Sequence, residues 1–400
     1  MSPPRFELRT VDSLEAVPSA EWNRLAGTAN PFLRHEFLTA LERNRCVGPG
    51  TGWTPRHLLA LYAGRLVGAV PLYRKSHSFG EFVFDWAWAE AYERAGLAYY
   101  PKLVAAVPLT PVTGPRLLSE PGRSADAVTE GLAAGALARA REQPVSSLHC
   151  LFAPGGETGL LEARGLLRRA GCQFHWPNPG YRDFEDFLDA LSSKRRKQIR
   201  RERREAAGAG IEVDVLRGNE VSEHQWQVYH RFYRSTFDRK WGFPSLTEAF
   251  FREIGRTMPE AVLLVLARRG DRYVAGALFL RGTDALYGRH WGCSEHHRAL
   301  HFELCYYRGI DYCIREGLRR FEAGAQGEHK IWRGFLPVHT WSAHWIRHDL
   351  FREAIADFLA RERRAVDRYI EELREHSPYR QTTSTGDPVS RTDEAPTPVG

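Results

Sequence analysis

The segment from Glu322 to Phe335 groups side chains that could carry out proton transfer next to side chains that could bind an anion. Glu328, His329, Lys330 and Arg333 follow a glycine-bearing loop that we place after a short strand. Carboxylates and imidazoles can take up a proton, and lysine and arginine can stabilise negative charge. The segment therefore predicts an acid–base and anion-binding site, although a charged surface turn has the same composition.

A second segment, from His290 to Glu303, is rich in histidine and also contains Cys293. His297 and His301 lie four residues apart, so on a helix they could share a face and bind a metal. A dedicated site needs a third ligand and supporting hydrogen bonds, and the sequence offers neither. We therefore interpret these histidines as structural or substrate-contacting and expect no metal.

The third segment is a basic run from Ser192 to Glu205, in which eight bases are opposed by two acids. A helix there would present positive charge around most of its surface. It could hold the phosphates of a nucleotide or of RNA. Taken alone, a run of this kind is more often a solvated helix face. The candidate phosphate contacts are Lys194, Arg196, Lys197 and Arg200.

One β-hairpin pattern occurs twice and must help to position these segments. Leu58–Leu61 and Val67–Leu72 flank a Gly-Arg turn, and Leu263–Leu266 and Val274–Leu280 flank a similar turn. Two apolar runs separated by such a turn predict a hairpin. The spacing of roughly two hundred residues is too wide for a solenoid repeat and suggests two related domains.

The other predicted elements alternate between strands and helices, which indicates an α/β or α+β protein. They include helices over 125–141, 162–170, 184–207 and 302–316, strands over 147–152, 285–293 and 320–324, and a last amphipathic helix carrying Phe351 to Leu373. A cluster of breakers near Trp176 predicts a boundary. We expect an N-terminal domain over 5–176, a C-terminal domain over 177–376 and a disordered tail over 377–400.

The composition is that of an ordinary globular protein, with 43% hydrophobic residues, 26% charged residues and a formal net charge of +7. The six cysteines form no Cys-x-x-Cys pair, which is typical of reduced thiols. The start of the chain lacks an apolar signal core, and we see no stretch long enough to cross a bilayer. We therefore expect a cytoplasmic protein without a membrane span. Motifs of P-loop enzymes, Rossmann dehydrogenases and serine hydrolases are missing from the sequence.

Several motifs resemble a bacterial family of FemAB-like predicted N-acyltransferases, associated with peptidoglycan biosynthesis or recognition. The matching segments are 30–33, 84–89, 99–103, 111–116, 239–242, 287–292, 300–303 and 324–330. The resemblance implies two tandem acetyltransferase-like (GNAT) domains, each a mixed sheet flanked by helices. It also implies that a Lys/Arg-rich helix opens the second domain, as the run Lys194–Arg204 followed by Gly208 would do here.

The wider resemblance is to the peptidoglycan-bridge aminoacyltransferases, which transfer an aminoacyl group from a charged tRNA to an amine. Coenzyme A acetyltransferases instead hold the donor's pyrophosphate in a glycine-bearing turn at a helix start. The corresponding stretch here, His297–His301, has no glycine. We therefore favour aminoacyl-tRNA as the donor, and keep acyl-coenzyme A as the alternative. No permanently bound cofactor is expected.

The mechanistic hypothesis is amide formation on an amine-bearing acceptor, with a peptidoglycan precursor as the candidate. A lysine-like amine has a pKa near 10.4 and must lose a proton before it attacks. We assign the proton to a pool of four residues, with Glu328 and His301 favoured over Glu303 and His329. The candidate substrate and donor contacts are Lys330, Arg333, His290, Trp86, Arg239, Trp241 and the four cations of the basic run. Two alternatives to an enzyme stay open: a module that binds a cell-wall precursor without chemistry, and a plain RNA-binding protein.

Overall fold

The computed structural model describes residues 6–122, 125–208, 210–238, 244–324 and 327–380. Its strands are β1 (Glu7–Val11), β2 (Trp53–Pro55), β3 (His57–Tyr62), β4 (Arg65–Val70), β5 (Leu72–Lys75), β6 (Lys102–Ala105), β7 (Leu118–Ser119), β8 (Ser147–Ala153), β9 (Leu167–Pro177), β10 (Glu212–Arg217), β11 (Val262–Arg269), β12 (Arg272–Arg281), β13 (Ala285–Cys293), β14 (Arg320–Glu322) and β15 (Leu336–Ile346).

The α-helices are α1 (Ser19–Ala26), α2 (His35–Arg43), α3 (Trp86–Arg94), α4 (Ala125–Glu142), α5 (Gly155–Ala163), α6 (Phe184–Ala190), α7 (Ser193–Ala207), α8 (Glu223–Asp238), α9 (Glu248–Thr257), α10 (Leu300–Phe302), α11 (Arg308–Arg315) and α12 (Asp349–Glu375). A π-helical turn over Glu303–Tyr307 joins α10 to α11, and a 3₁₀ helix spans Glu328–Arg333.

Most strands belong to one large sheet. Its eleven strands run in the order β10-β11-β12-β13-β14-β9-β15-β8-β6-β5-β2, and a second sheet has the order β1-β3-β4-β7. Strand β15, the last in the chain, lies between β9 and β8. The two halves of the sequence therefore share a single sheet.

The duplicated hairpin is confirmed, and it belongs to a larger repeated unit. Strands β3 and β4 form the first copy, and β11 and β12 form the second. In each half an antiparallel pair then leads into a parallel one, β6 with β8 and β13 with β14, with a helix in the connection. The chain thus has the mixed sheets and flanking helices of tandem GNAT-like domains.

Two predicted helices are wrong in their bounds. The helix over 184–207 is split into α6 and α7, because Leu191 is extended, fully buried and bridged to Tyr379. The helix over 162–170 is also wrong. Helix α5 ends at Ala163, Gly165 adopts a left-handed φ of 88°, and β9 starts at Leu167.

The proposed domain boundary at 176/177 falls at the end of β9, which pairs with β14 on one side and β15 on the other. The apolar core also joins the halves, since the ring of Phe32 packs 5.3 Å from that of Tyr287. The first residues of the proposed tail are packed, because the Tyr379 hydroxyl donates to the Gly334 carbonyl at 2.7 Å. Residues 381–400 lie outside the described part of the chain.

Candidate functional site

A cavity of about 320 Å³ opens where strands β13 and β14 diverge. The two strands pair only through three residues each, Ala285–Tyr287 with Arg320–Glu322. Beyond this point β13 continues toward Cys293, while the chain after β14 turns into the 3₁₀ helix. The polar and aromatic side chains that line the cavity belong to Phe279, Arg289, His290, Trp291, His301, Cys305, Tyr306, His329 and Lys330.

Lys330 is the buried cation of this cavity. Its side chain lies at the start of the 3₁₀ helix, with 2% of the residue exposed, and Nζ donates to the Gly324 carbonyl at 2.6 Å. Burial lowers the pKa of Lys330 to about 8, so both the ammonium and the neutral amine are accessible near neutral pH. None of the described residues that line the cavity is an aspartate or a glutamate.

His301 lines the same cavity and packs between aromatic rings. Its imidazole makes edge contacts with Trp291 at 5.1 Å and with Tyr306 at 5.5 Å. Burial, together with the nearby positive charges of Lys330 and Arg333, lowers the pKa of His301 to about 4. The imidazole is therefore neutral at physiological pH and can accept or donate a hydrogen bond.

The π-helical turn brings Tyr306 into the cavity wall, where its hydroxyl lies 3.0 Å from Nε2 of His329. Turns of this type inside helices occur often at functional sites. Burial also lowers the pKa of His329, so this imidazole is mainly neutral. His290 has a buried Nε2 with no hydrogen-bond partner among the described residues, and its pKa is well below the usual value for the same reason.

The basic helix α7 lies beside this site, against the 3₁₀ helix. Lys194, Lys197 and Arg200 line a groove of about 880 Å³ between α6 and α7. Arg196 pairs with Asp189 at 2.9 Å and Arg200 with Glu185 at 2.5 Å, so two of the predicted phosphate contacts already have carboxylate partners. Ion pairs of Lys194 and Lys197 are not found within the described ranges.

Two predicted site residues have structural partners instead of a place in the cavity. Glu303 is nearly buried and pairs with Arg203 at 3.2 Å and Arg308 at 2.9 Å. Arg333 is 2% exposed and pairs with Glu202 of α7 at 2.8 Å. We therefore interpret Glu303 and Arg333 as residues that hold the helices together.

Glu328 and Trp86 do not line the cavity. Glu328 is exposed, and its carboxylate accepts a hydrogen bond from the Tyr369 hydroxyl at 2.6 Å. Trp86 begins α3, in the other half of the chain, and packs 4.9 Å from the ring of Phe79. Arg239 and Trp241 lie outside the described residues.

The N-terminal half has a buried arginine beside the corresponding parallel strand pair. Strands β6 and β8 pair over three residues each, and the side chain of Arg116 is fully buried. Its guanidinium donates to the carbonyls of Val112 at 2.7 Å, Gly114 at 2.8 Å and Leu151 at 2.9 Å. A cavity of about 340 Å³ lies at the end of β8, lined by Phe152 and by residues of β9 and β15.

Sequence reasoning found His290, His301, His329 and Lys330, which the fold brings together, but it missed Trp291, Cys305 and Tyr306 as lining residues. Tyr306 lies five residues after His301, and in an α-helix this spacing does not place two side chains on one face. The π-helical turn between them brings both into one wall of the cavity. In the described ranges, no group of three or more His, Cys, Asp or Glu residues could hold a metal ion. No helix in the same ranges is long and apolar enough to cross a bilayer.

Comparisons with known proteins place this architecture in a family. The FemAB-like family profile, described as peptidoglycan biosynthesis/recognition, matches residues 13–381. No curated protein matches the sequence significantly.

Solved structures show the same fold at low sequence identity. The structure of FemX is similar with a TM-score of 0.54 and 12% identity, over 88% of this chain and all of that one. L-PGS from Bacillus licheniformis is similar with a TM-score of 0.50 and 11% identity, over 83% of this chain and 98% of that one. A tandem GNAT protein from the clavulanic acid biosynthesis pathway has a TM-score of 0.45 and 13% identity, over 86% of this chain and 98% of that one.

Proposed function

Because the chain belongs to the FemAB-like family, we propose that it is an N-acyltransferase with its active site in the cavity between β13 and β14. The reaction is the transfer of an aminoacyl group to an amine of a peptidoglycan-type precursor. The observation that carries the proposal is Lys330, a buried lysine in a cavity whose described lining contains no carboxylate, next to a strongly basic helix.

Lys330 can act at two points of the reaction. Its neutral amine takes a proton from the acceptor ammonium, and the free amine then attacks the carbonyl carbon of the donor ester. The Lys330 ammonium formed in this way faces the oxyanion and stabilises it. When the tetrahedral intermediate collapses, the C–O bond to the donor breaks, and the leaving oxygen receives the proton from Lys330. The neutral Lys330 amine then takes the second proton from the nitrogen of the new amide and releases it to solvent, so that one proton is released for each amide bond formed.

The neutral histidines of the cavity position the reactants. With a pKa near 4, His301 is too weak a base to hold the proton, but its ring nitrogen can accept a hydrogen bond from the attacking amine. His329 is oriented by the Tyr306 hydroxyl at 3.0 Å. We therefore move the principal proton-transfer role from Glu328 and His301 to Lys330.

The donor we favour is aminoacyl-tRNA. The turn before α10 has no glycine, and Ala299 adopts a left-handed φ of 60°. The Leu300 N–H donates to the His297 carbonyl at 3.3 Å, so it is engaged within the protein. These features disfavour a pyrophosphate cradle of the coenzyme A type, while the groove along α7 offers cations to a polynucleotide backbone.

The test is a transfer assay with radiolabelled aminoacyl-tRNA or acetyl-coenzyme A and a muropeptide precursor that has a free amine. We expect amide product from the aminoacyl-tRNA, and its loss in the Lys330→Met variant. Product from acetyl-coenzyme A alone would change the donor to a thioester. Tight binding of the precursor with no product from either donor would instead indicate a recognition module.

A further inference from the structure

The 3₁₀ helix that carries Lys330 also carries a large exposed aromatic side chain. Trp332 is 44% exposed, and the guanidinium of Arg195 lies over its ring, 4.7 Å from the centroid. Arg195 belongs to the first turn of the basic helix α7. A cation–π pair of this kind presents a flat, positively charged aromatic surface to solvent.

Trp332 lies close to the reacting groups of the proposed site. Residues three apart in a 3₁₀ helix share one side, so Trp332 and His329 are neighbours about 6 Å apart along the axis. His329 and Lys330 line the cavity. The buried pair between Arg333 and Glu202 fixes this helix against α7.

The basic helix next to Trp332 retains free positive charge. Lys194 and Lys197 are exposed and, within the described ranges, have no ion-pair partner; the same holds for Arg204. Lysine and arginine side chains bind phosphate oxygens, and aromatic rings stack on bases whatever their sequence. The cations of α7 therefore lie next to the exposed indole of Trp332, and the 3₁₀ helix that carries Trp332 also lines the cavity.

We propose that Trp332, backed by Arg195, is the stacking surface for a nucleobase at the reacting end of the acyl donor. The basic helix then binds the donor's phosphates, and the cavity receives its acyl group. This inference rests on the proposed function and names the chemistry by which the donor is recognised. An adenosine is common to the 3′ end of tRNA and to coenzyme A, so adenine is the base we expect.

Binding of probes that carry no acyl group to the full chain tests the stacking surface without any catalysis. The probes are a labelled RNA hairpin ending in ACCA, the same hairpin with an abasic 3′-terminal nucleotide, and coenzyme A. We expect wild-type protein to bind the ACCA hairpin about tenfold more tightly than the abasic one. Trp332→Ala should abolish this difference, whereas Trp332→Phe should keep most of it.

Two control variants separate base stacking from other effects. Lys197→Ala should weaken binding of both hairpins equally and reduce the salt dependence, as expected for a phosphate contact. Phe79→Ala removes a ring that is 66% exposed in the other half of the chain. It should change neither the affinity for the two hairpins nor the salt dependence. Thermal midpoints of all variants show whether each is folded.

Each outcome decides the proposal. If Trp332→Ala prefers the ACCA hairpin over the abasic one as strongly as wild type does, Trp332 is not a stacking surface. The same conclusion follows if the variant binds both hairpins more weakly by the same factor. Absence of binding of every probe to the wild type would also overturn it. Binding of coenzyme A but of neither hairpin, lost in Trp332→Ala, would support the stacking surface and assign the adenine to a thioester donor. Lys330→Met could abolish transfer while Trp332→Ala still binds the ACCA hairpin more tightly than the abasic one. This result would support the proposed function and contradict the stacking surface.

Discussion

Arg333 and Glu202 form a buried ion pair in which Nη2 of Arg333 lies 2.8 Å from Oε1 of Glu202. Both side chains are less than a tenth exposed, and the Tyr307 hydroxyl also donates to this carboxylate. The pair joins the basic helix to the 3₁₀ helix that carries Lys330. Together with the contact between Arg195 and Trp332, this pair holds the basic helix against the cavity wall, although the two elements are far apart in sequence.

Removal of one partner of this pair should destabilise the protein strongly. We expect Glu202→Gln to lower the free energy of unfolding by about 3–5 kcal/mol, because a buried guanidinium loses its counter-charge. The double variant Glu202→Met/Arg333→Met should recover much of this loss. Urea unfolding measures the effect. The exposed pair Arg182–Asp186 is the control, and its removal should change the free energy of unfolding far less, because solvent screens an exposed ion pair. Equal effects of the two pairs would contradict the structural role given to Arg333.

The rate of transfer should increase with pH through the pKa of Lys330. Because the neutral amine is the active form and the pKa is lowered to about 8, kcat should rise about tenfold between pH 7 and pH 9. Lys330→Met should reduce kcat by about 10²–10⁴ and remove this step from the profile. Lys330→Arg keeps a cation but cannot release its proton, so it should be nearly as slow. A Lys330→Met variant with the wild-type pH profile would refute the assignment.

Arg116 should be needed for stability and not for donor binding. Arg116→Met leaves the carbonyls of Val112, Gly114 and Leu151 without their charged donor. We expect the free energy of unfolding to fall by about 3 kcal/mol or more. The KM for the donor should be unchanged at a temperature where the variant is folded. A raised KM would instead place a donor site in the N-terminal half. The exposed Arg182 supplies the matched control, Arg182→Met.

Lys75 should make stability depend on pH above neutrality. This fully buried side chain donates to the Phe79 carbonyl at 3.1 Å, and burial lowers its pKa to about 7. Between pH 7 and about 10 the unfolded chain binds this proton more tightly, so its contribution to stability increases as pH rises. The slope should approach 1.4 kcal/mol per pH unit.

Comparison with two lysine variants isolates this contribution. Urea unfolding at pH 7 and pH 9 should give a smaller rise for Lys75→Met than for wild type. Lys194→Met, which replaces an exposed lysine, should retain the wild-type rise. An unchanged rise in Lys75→Met would mean that other groups produce it.

The elements that were predicted well are those whose pattern is local. The two hairpins are apolar runs bounded by turn residues, strand β13 begins with the buried run 285–287, and α12 keeps a helical period over seven turns. Strand β15 was not foreseen, because its polar and aromatic residues show no clean alternation. It is a strand because it lies between β8 and β9, and those pairings are set by distant parts of the chain.

The residues of the candidate site could likewise be predicted only in part from the sequence. His290, His301 and Lys330 were identified from composition and meet in the cavity because β13 and β14 diverge. Glu303 has the same apparent chemistry in sequence, but its carboxylate is taken by Arg203 and Arg308. Which carboxylate is paired and which cation is free depends on tertiary packing, and residue type alone does not specify it.

The position of β15 also determines when the protein can fold during synthesis. When the ribosome has released the first half of the chain, β8 lacks one neighbour and β9 lacks both. Their open edges can pair with other chains until residues near 346 emerge. We therefore expect nascent chains to need a chaperone over this interval, and a gene split at residue 177 to yield two insoluble fragments.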